Sequence, residues 1–471
     1  MERTAIMKTI RNRLSRQWVA RGVVLVVIVA LLVPGIVSAF TNEPTELRAG
    51  NVTEPANGTT VISVQGFKVS GQSSQKKPAR LVGVGPRGNT RWVYNGSNNG
   101  IRWFYDVDPL DNGTLLLTGA KPGKTVVAEW NPKTKTTVWS RTFDWEDTHD
   151  VDLINGDQLL VGNMRNYNET SGRNNDRILV YDLSQDEIVW QWLFRERYPE
   201  SGGGKYTGDW SHVNDVDKIG PGQYMASPRN FDQVIVVNRT SKNISMRLGE
   251  DDNYDTLYEQ HNPQYLEGDN GTPTMLVADS ENDRIVEYAK RNESWKRTWT
   301  LTGDFQWPRD ADRLPGGNTL VTDTLNNRVM EVTPTGKVVW EYYAPWAPYD
   351  AERIAYGDEA GGPTISEQNA TGNYTLSGSA SLAPGTGGQL TFAEWLTNAF
   401  VDTPIQNEIE WLAERWAHAT PWIRPVWMGS WEFVGVVLAG VLTLGWVTIE
   451  GVGHRQQIRA KGRQFLAIFQ T

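Results

Sequence analysis

Five histidines occur in this chain of 471 residues, and three of them, His149, His212 and His261, stand at or just before versions of one repeated phrase. Tyr105-Asp-Val-Asp-Pro-Leu, His149-Asp-Val-Asp-Leu-Ile, Asn214-Asp-Val-Asp-Lys-Ile, Arg309-Asp-Ala-Asp-Arg-Leu and Tyr349-Asp-Ala-Glu-Arg-Ile share its form, and His261-Asn-Pro-Gln-Tyr-Leu fills the slot between the third and fourth. Arg229, in Ser227-Pro-Arg-Asn-Phe-Asp, follows His212 at short range, and Arg309 takes the histidine's place one repeat after His261. Three imidazoles with one or two guanidiniums describe an anion site. The planar fork of Arg suits sulfate or phosphate, and neutral imidazole can attack an electrophile and carry the group covalently. His418 and His454 lie outside the repeat and have no assigned role.

For these side chains to meet, the repeats must bring them to one place. Each phrase is followed by a turn (Asp111-Asn-Gly, Asn155-Gly-Asp, Pro315-Gly-Gly-Asn) and a short apolar run such as Leu115-Leu-Leu or Leu159-Leu-Val, a two-strand hairpin signal. A third strand follows (Arg177-Ile-Leu-Val-Tyr-Asp, Gln233-Val-Ile-Val-Val-Asn), and a fourth tends to end in Trp (Thr137-Val-Trp, Ile188-Val-Trp, Val338-Val-Trp). Four antiparallel strands at a period of roughly 40–50 residues are the pattern of a propeller blade. The fold class expected is all-β, a six-bladed β-propeller of four-stranded antiparallel blades. Its sixth blade joins the last phrase, Tyr349-Asp-Ala-Glu-Arg-Ile, to Val61-Ile-Ser-Val, Arg80-Leu-Val-Gly-Val and Thr90-Arg-Trp-Val-Tyr, so that no sheet edge stays open. The phrases become innermost strands around a central channel, and Trp at a fixed place in successive blades packs between sheets.

The motifs then take on a specific form. Asp209-Trp-Ser-His-Val-Asn-Asp, Ser227-Pro-Arg-Asn and Gln260-His261 resemble, in order and blade by blade over about 60–355, the arylsulfotransferase family of six-bladed propellers. That resemblance implies transfer of a sulfuryl group from an aryl sulfate donor to a phenolic acceptor. It makes His261 the histidine that takes the sulfuryl group, His212 and Arg229 the groups that bind sulfate oxygens, and His149 a member of the anion site or a proton carrier. Asn214, Arg309 and Tyr105 are the expected substrate contacts, and no metal or organic cofactor is implied. Family members from bacteria commonly carry a disulfide, whereas this chain has no cysteine.

Two alternatives stand beside this reading. The Asp-Val-Asp carboxylates serve backbone donors between blades, or Asp106, Asp150, Asp215 and Asp310 hold Ca²⁺, for which oxygen ligands are suited; the three histidines could also hold a metal, although Arg229 nearby would repel it. Functionally, the alternative to an enzyme is a non-catalytic glycosylated propeller that binds a partner or an anionic ligand.

Flanking the repeat, residues 22–40 form an uncharged apolar run, read as a transmembrane helix in preference to a cleaved signal peptide, although Val37-Ser38-Ala39 offers a plausible cleavage site. A second uncharged run, 433–449, has Trp422, Trp427 and Trp431 before it and Arg455, Arg459, Lys461 and Arg463 after it. The organisation expected is a basic tail 1–21, a span 22–40, a propeller 60–357, a linker 358–388, amphipathic juxtamembrane helices 389–420, a span 431–449 and a basic tail 450–471. Both tails lie in the cytoplasm on this reading. The middle, 41–449, carries 36 basic and 53 acidic residues, a formal −17, which argues against a nucleic-acid partner. Eleven Asn-x-Ser/Thr sequons fall in that middle and none in either tail, and with the acidity and the lack of cysteine they suit an extracellular, membrane-anchored archaeal glycoprotein of a high-salt cell.

Overall fold

The computed structural model describes residues 2–41, 46–66, 78–96, 100–292, 294–380, 391–425 and 427–453, with the side chains of 2–17 outside that description. It divides into two units, Thr45–Gly388 and the pair of segments Met1–Pro44 and Gln389–Thr471.

The first unit is a six-bladed propeller. Blade II comprises Trp103–Pro109, Leu115–Lys121, Lys124–Asn131 and Thr136–Phe143, and blade III Val151–Ile154, Gln158–Asn163, Arg177–Asp182 and Glu187–Leu193. Blade IV comprises Val213–Gly220, Gln223–Pro228, Gln233–Asn238 and Ile244–Gly249. Blade V runs His261–Glu267, Pro273–Asp279, Arg284–Arg291 and Ser294–Thr302, and blade VI Pro308–Arg313, Thr319–Asp323, Arg328–Val332 and Val338–Tyr343. Blade I closes the ring: Pro348–Arg353 pairs antiparallel with Thr60–Val64, Thr60 opposite Arg353, and Arg80–Val84 and Thr90–Asn95 complete it.

Middle strands such as Gln233–Asn238 (QVIVVN) are buried on both faces, because each sheet packs against a neighbour on either side. The repeated Trp sits in these inter-blade layers as expected; Trp139 Nε1 donates to the Glu129 carboxylate at 2.8 Å, Trp340 Nε1 has no partner among the described residues, and two other Trp reach a carbonyl of the next blade. Trp190 Nε1 donates to Arg239 O of blade IV at 2.9 Å, and the fully buried Trp299 donates to Pro334 O of blade VI at 2.8 Å.

Four additional strands were not legible in the sequence, of which Tyr167–Asn168 and Arg173–Asn174 form a small hairpin of their own and two extend blades. Arg48–Val52 adds antiparallel to the outer edge of blade VI, and Gly372–Thr375 adds in parallel to the outer strand of blade V. Residues 358–380, expected as a linker, are therefore packed onto the ring, with Ile365 and Leu376 buried among side chains of blades V and VI. The rest of that expected linker, 381–388, lies outside the described residues.

The second unit is helical. Helices Glu2–Thr41 and Ser430–Gly453 contain segments, Trp18–Thr41 and Ser430–Val452, long and apolar enough to cross a membrane. They run antiparallel, since Arg21 makes a two-point ion pair with Glu450 at 2.7 and 2.8 Å while Ser38 Oγ donates to Trp427 O. Shorter helices span Phe392–Ala399, opened by a Thr391–Glu394 capping box, and Gln406–Ile423. The C-terminal tail beyond 453 lies outside the described residues.

Candidate active site in the propeller channel

The first residue of each repeated phrase comes from a different inner strand, so ring closure gathers Tyr349, Tyr105, His149, Asn214, His261 and Arg309 around one channel. Side-chain contacts join most of them. The His149 ring stacks on Tyr105 at 3.8 Å between centroids and meets His212 edge-on at 4.9 Å. Tyr349 stands between blades, 5.5 Å from His149 and 6.0 Å from His261, and Arg309 lies over it at 5.0 Å and over Trp307 at 4.1 Å.

His261 is fully buried, and its surroundings decide its tautomer. Nδ1 lies 3.1 Å from the Glu259 carbonyl and 2.8 Å from Ser280 Oγ. A carbonyl can only accept, and the Ser280 hydroxyl donates to Pro308 O at 2.6 Å, so Nδ1 carries the proton. Nε2 is left bare and without a hydrogen-bond partner among the described residues. Burial, then the guanidiniums of Arg309 and Arg229, hold this imidazole well below its usual pKa and therefore neutral.

His212, at a positive φ of 42°, is arranged alike. Its Nδ1 lies 2.8 Å from Asp209, a carboxylate that must accept, and its buried Nε2 has no partner among the described residues. Burial and then Arg229 depress its pKa to about 4 against the opposing pull of Asp209. Arg165 bridges Asp209 at 3.2 Å and Asp147 at 2.5 Å, and Asp147 accepts from the Tyr105 hydroxyl. His149 is likewise driven well below its ordinary value, by burial first and the His212 ring second. Its Nδ1 lies 3.2 Å from the Tyr349 hydroxyl.

The two arginines differ. Arg229 begins a 3₁₀ turn after Gln223–Pro228 and pairs with Glu259 at 3.3 Å. Arg309, 5% exposed, gives one bond to Gln65 Oε1 at 2.7 Å while its Nε has no partner among the described residues, and burial lowers its pKa to about 10.

The motif residues between these groups chiefly hold one another. Asn214 Nδ2 donates to Gln260 O at 2.9 Å, and Gln260 Nε2 donates to Ser227 Oγ at 3.0 Å and Gln233 O at 2.6 Å. Asn214, expected to touch substrate, thus gives one amide N–H to the backbone before His261, while its Oδ1 has no partner among the described residues. Sequence reasoning quoted Tyr349 without giving it a role, and it missed Gln65, Asp147, Arg165, Glu259 and Ser280. Tyr349 was findable as the phrase's first residue in the closing blade; the others sit in loops whose proximity to the channel has no local signature.

No curated protein matches the chain. Among solved structures, a protein of unknown function from Bacteroides caccae is 12% identical with a TM-score of 0.40, covering 60% of this chain and 93% of its own. Virginiamycin B lyase from Staphylococcus aureus gives 13% and 0.37 over 64% and 88%, and a 6-phosphogluconolactonase-like protein from Bacteroides uniformis 12% and 0.37 over 63% and 85%. The family model described as arylsulfotransferase (ASST) matches residues 60–262, a stretch that contains His149, His212, Arg229 and His261.

Proposed function

We propose that the propeller transfers a sulfuryl group from an aryl sulfate to a phenolic or other hydroxyl acceptor through a sulfohistidine at His261. The observation that carries this reading is the bare, buried Nε2 of a neutral His261 whose Nδ1 proton is fixed by Glu259 O and Ser280. In the first step the Nε2 lone pair bonds to sulfur, the aryl O–S bond breaks, and the phenolate leaves. Its charge and that of the sulfuryl oxygens develop beside Arg229 and Arg309, where preformed donors act most strongly. In the second step an acceptor hydroxyl attacks sulfur, the N–S bond breaks, and the hydroxyl proton passes to a base. His212 Nε2 suits that role while neutral; once protonated it becomes a donor to sulfuryl oxygens, and His149 with Tyr349 offers a second proton path. The match of 60–262 to the arylsulfotransferase model supports the substrate class.

The two long apolar helices support anchoring of this enzyme to a membrane, and basic residues outside the spans favour cytoplasmic tails with the propeller on the opposite side. All eleven sequon asparagines lie among the described residues, and none is buried, so each is open to glycosylation on an extracytoplasmic face.

The test is transfer from 4-nitrophenyl sulfate to a phenol by the detergent-solubilised chain and by His261→Asn. Loss of at least about a hundredfold in the variant, with a mass increment of one SO₃ on the His261 peptide of wild type after donor alone, is expected. Undiminished turnover in His261→Asn, or none in wild type across a panel of aryl sulfates, would overturn the proposal in favour of an anion-binding module.

A further inference from the structure

One layer along the channel from the histidines, the repeated phrase supplies two acids in each of five blades, and Asn262 and Gln264 stand in their places in blade V. In three blades the first accepts a backbone N–H of the next, Asp150 from Val216 N, Asp310 from Ala351 N at 3.1 Å and Asp350 from Val107 N at 3.0 Å, whereas Asp106 and Asp215 each keep a buried oxygen without a partner among the described residues. Asp108, Asp217, Asp312 and Glu352 are 3, 5, 4 and 6% exposed, and each has a carboxylate oxygen with no hydrogen-bond partner among the described residues. All four face one cavity of about 20 Å³. Twelve of its thirteen lining residues are Asp or Glu, the other is Asn262, and no Lys or Arg is among them.

A buried carboxylate without donors is costly, and a dozen around one void compound the cost by mutual repulsion. Burial first, then neighbouring carboxylates, push Asp108, Asp217 and Asp312 well above the ordinary range. The void itself holds about one water-sized sphere. Asp108 and Asp152 are joined there by Asp358 from the chain beyond the ring, with one oxygen of each lying within 4.8 Å of the others, close enough to share one ion.

We propose that Asp108, Asp152 and Asp358 bind one hard divalent cation of calcium's class in the channel, with Asp217, Asp312 and Glu352 facing the same cavity around it. An all-carboxylate set with further carboxylates around the same cavity fits Ca²⁺, which takes six to eight oxygens with flexible geometry, better than Mg²⁺, which keeps its waters. The ion ties blades II and III and the tail after blade I to one point. It also offsets the negative field that a sulfated donor meets on approaching the histidines from above.

The test uses the full chain in detergent, stripped with a chelator and titrated with CaCl₂ or MgCl₂ at fixed ionic strength by calorimetry, with thermal unfolding in parallel. Saturable uptake of one Ca²⁺ per chain, weaker Mg²⁺ uptake and a rise in Tm of about 5 °C near saturation are expected. Asp108→Asn/Asp152→Asn should lose the uptake and the Tm rise, yet unfold no lower than stripped wild type because two repelling charges are gone. Absence of saturable Ca²⁺ binding to wild type, equal binding by the double variant, or a Tm rise reproduced by NaCl at matched ionic strength would overturn the site. Mg²⁺ binding tighter than Ca²⁺ would overturn the assignment to a calcium-sized ion.

Discussion

At the scale of residues, the chemistry of His261 depends on a hydroxyl that touches no substrate. Ser280 Oγ donates to Pro308 O and thereby turns a lone pair toward His261 Nδ1, so that both partners of that nitrogen are acceptors. Without Ser280 one restraint on the ring is lost, and the imidazole gains freedom to tilt and to place its proton on Nε2. Ser280→Ala is expected to lower kcat by roughly ten- to a hundredfold, the range typical of groups that orient a reacting imidazole, with KM little changed. Steady-state kinetics with 4-nitrophenyl sulfate reads the split, and a loss confined to KM would place Ser280 outside the positioning of the nucleophile. The same logic makes Arg165 a clamp: its ties to Asp147 and Asp209 fix the loops before His149 and His212 together.

At the scale of elements, blades are joined by side chains that reach across to backbone N–H groups of the next inner strand. Blade V makes such a bond with a neutral side chain and from the other position of the phrase, Gln264 Oε1 accepting from Arg313 N at 2.7 Å. Because Gln264 carries no charge, it isolates the hydrogen bond from the acidic cluster. Gln264→Leu keeps the volume and leaves the Arg313 amide unpaired in a buried layer, for which a loss of about 1–3 kcal/mol is expected. Gln264→Glu retains an acceptor and should recover part of it. Chemical denaturation of the three proteins checks the order, and equal stability of wild type and the Leu variant would show that water or another acceptor replaces the bond.

At the scale of the whole molecule, stability rests on closure. Every residue of Pro348–Arg353 is buried, and this strand alone completes blade I from the far end of the ring. It also delivers Tyr349 to the histidines and Asp350 to the Val107 amide, so fold and site share one closing element. Truncation after residue 345 is expected to abolish cooperative thermal unfolding and turnover together, whereas truncation after 388 keeps the ring-covering strand Gly372–Thr375 and should retain both. Limited proteolysis and calorimetry distinguish these outcomes. A folded ring ending at 345 would mean that blade I holds without its inner strand.

The propeller was legible because its cause is local and repeated. The apolar middle strands, the turns and the phrase recur at a fixed spacing, and only a closed ring leaves no edge unpaired. The candidate histidines were legible for the same reason, since a residue's place in the phrase fixes its height in the channel. The strands Arg48–Val52 and Gly372–Thr375 were not, because they are short, polar and half exposed and exist only by pairing with an edge distant in sequence. Nor could sequence separate the two acids of each phrase, which read alike as Asp. The tertiary structure decided that Asp150, Asp310 and Asp350 meet a backbone N–H of the next blade while Asp108, Asp217, Asp312 and Glu352 face a cavity lined by other carboxylates, because a two-residue step along a converging strand exchanges a donor for the channel axis.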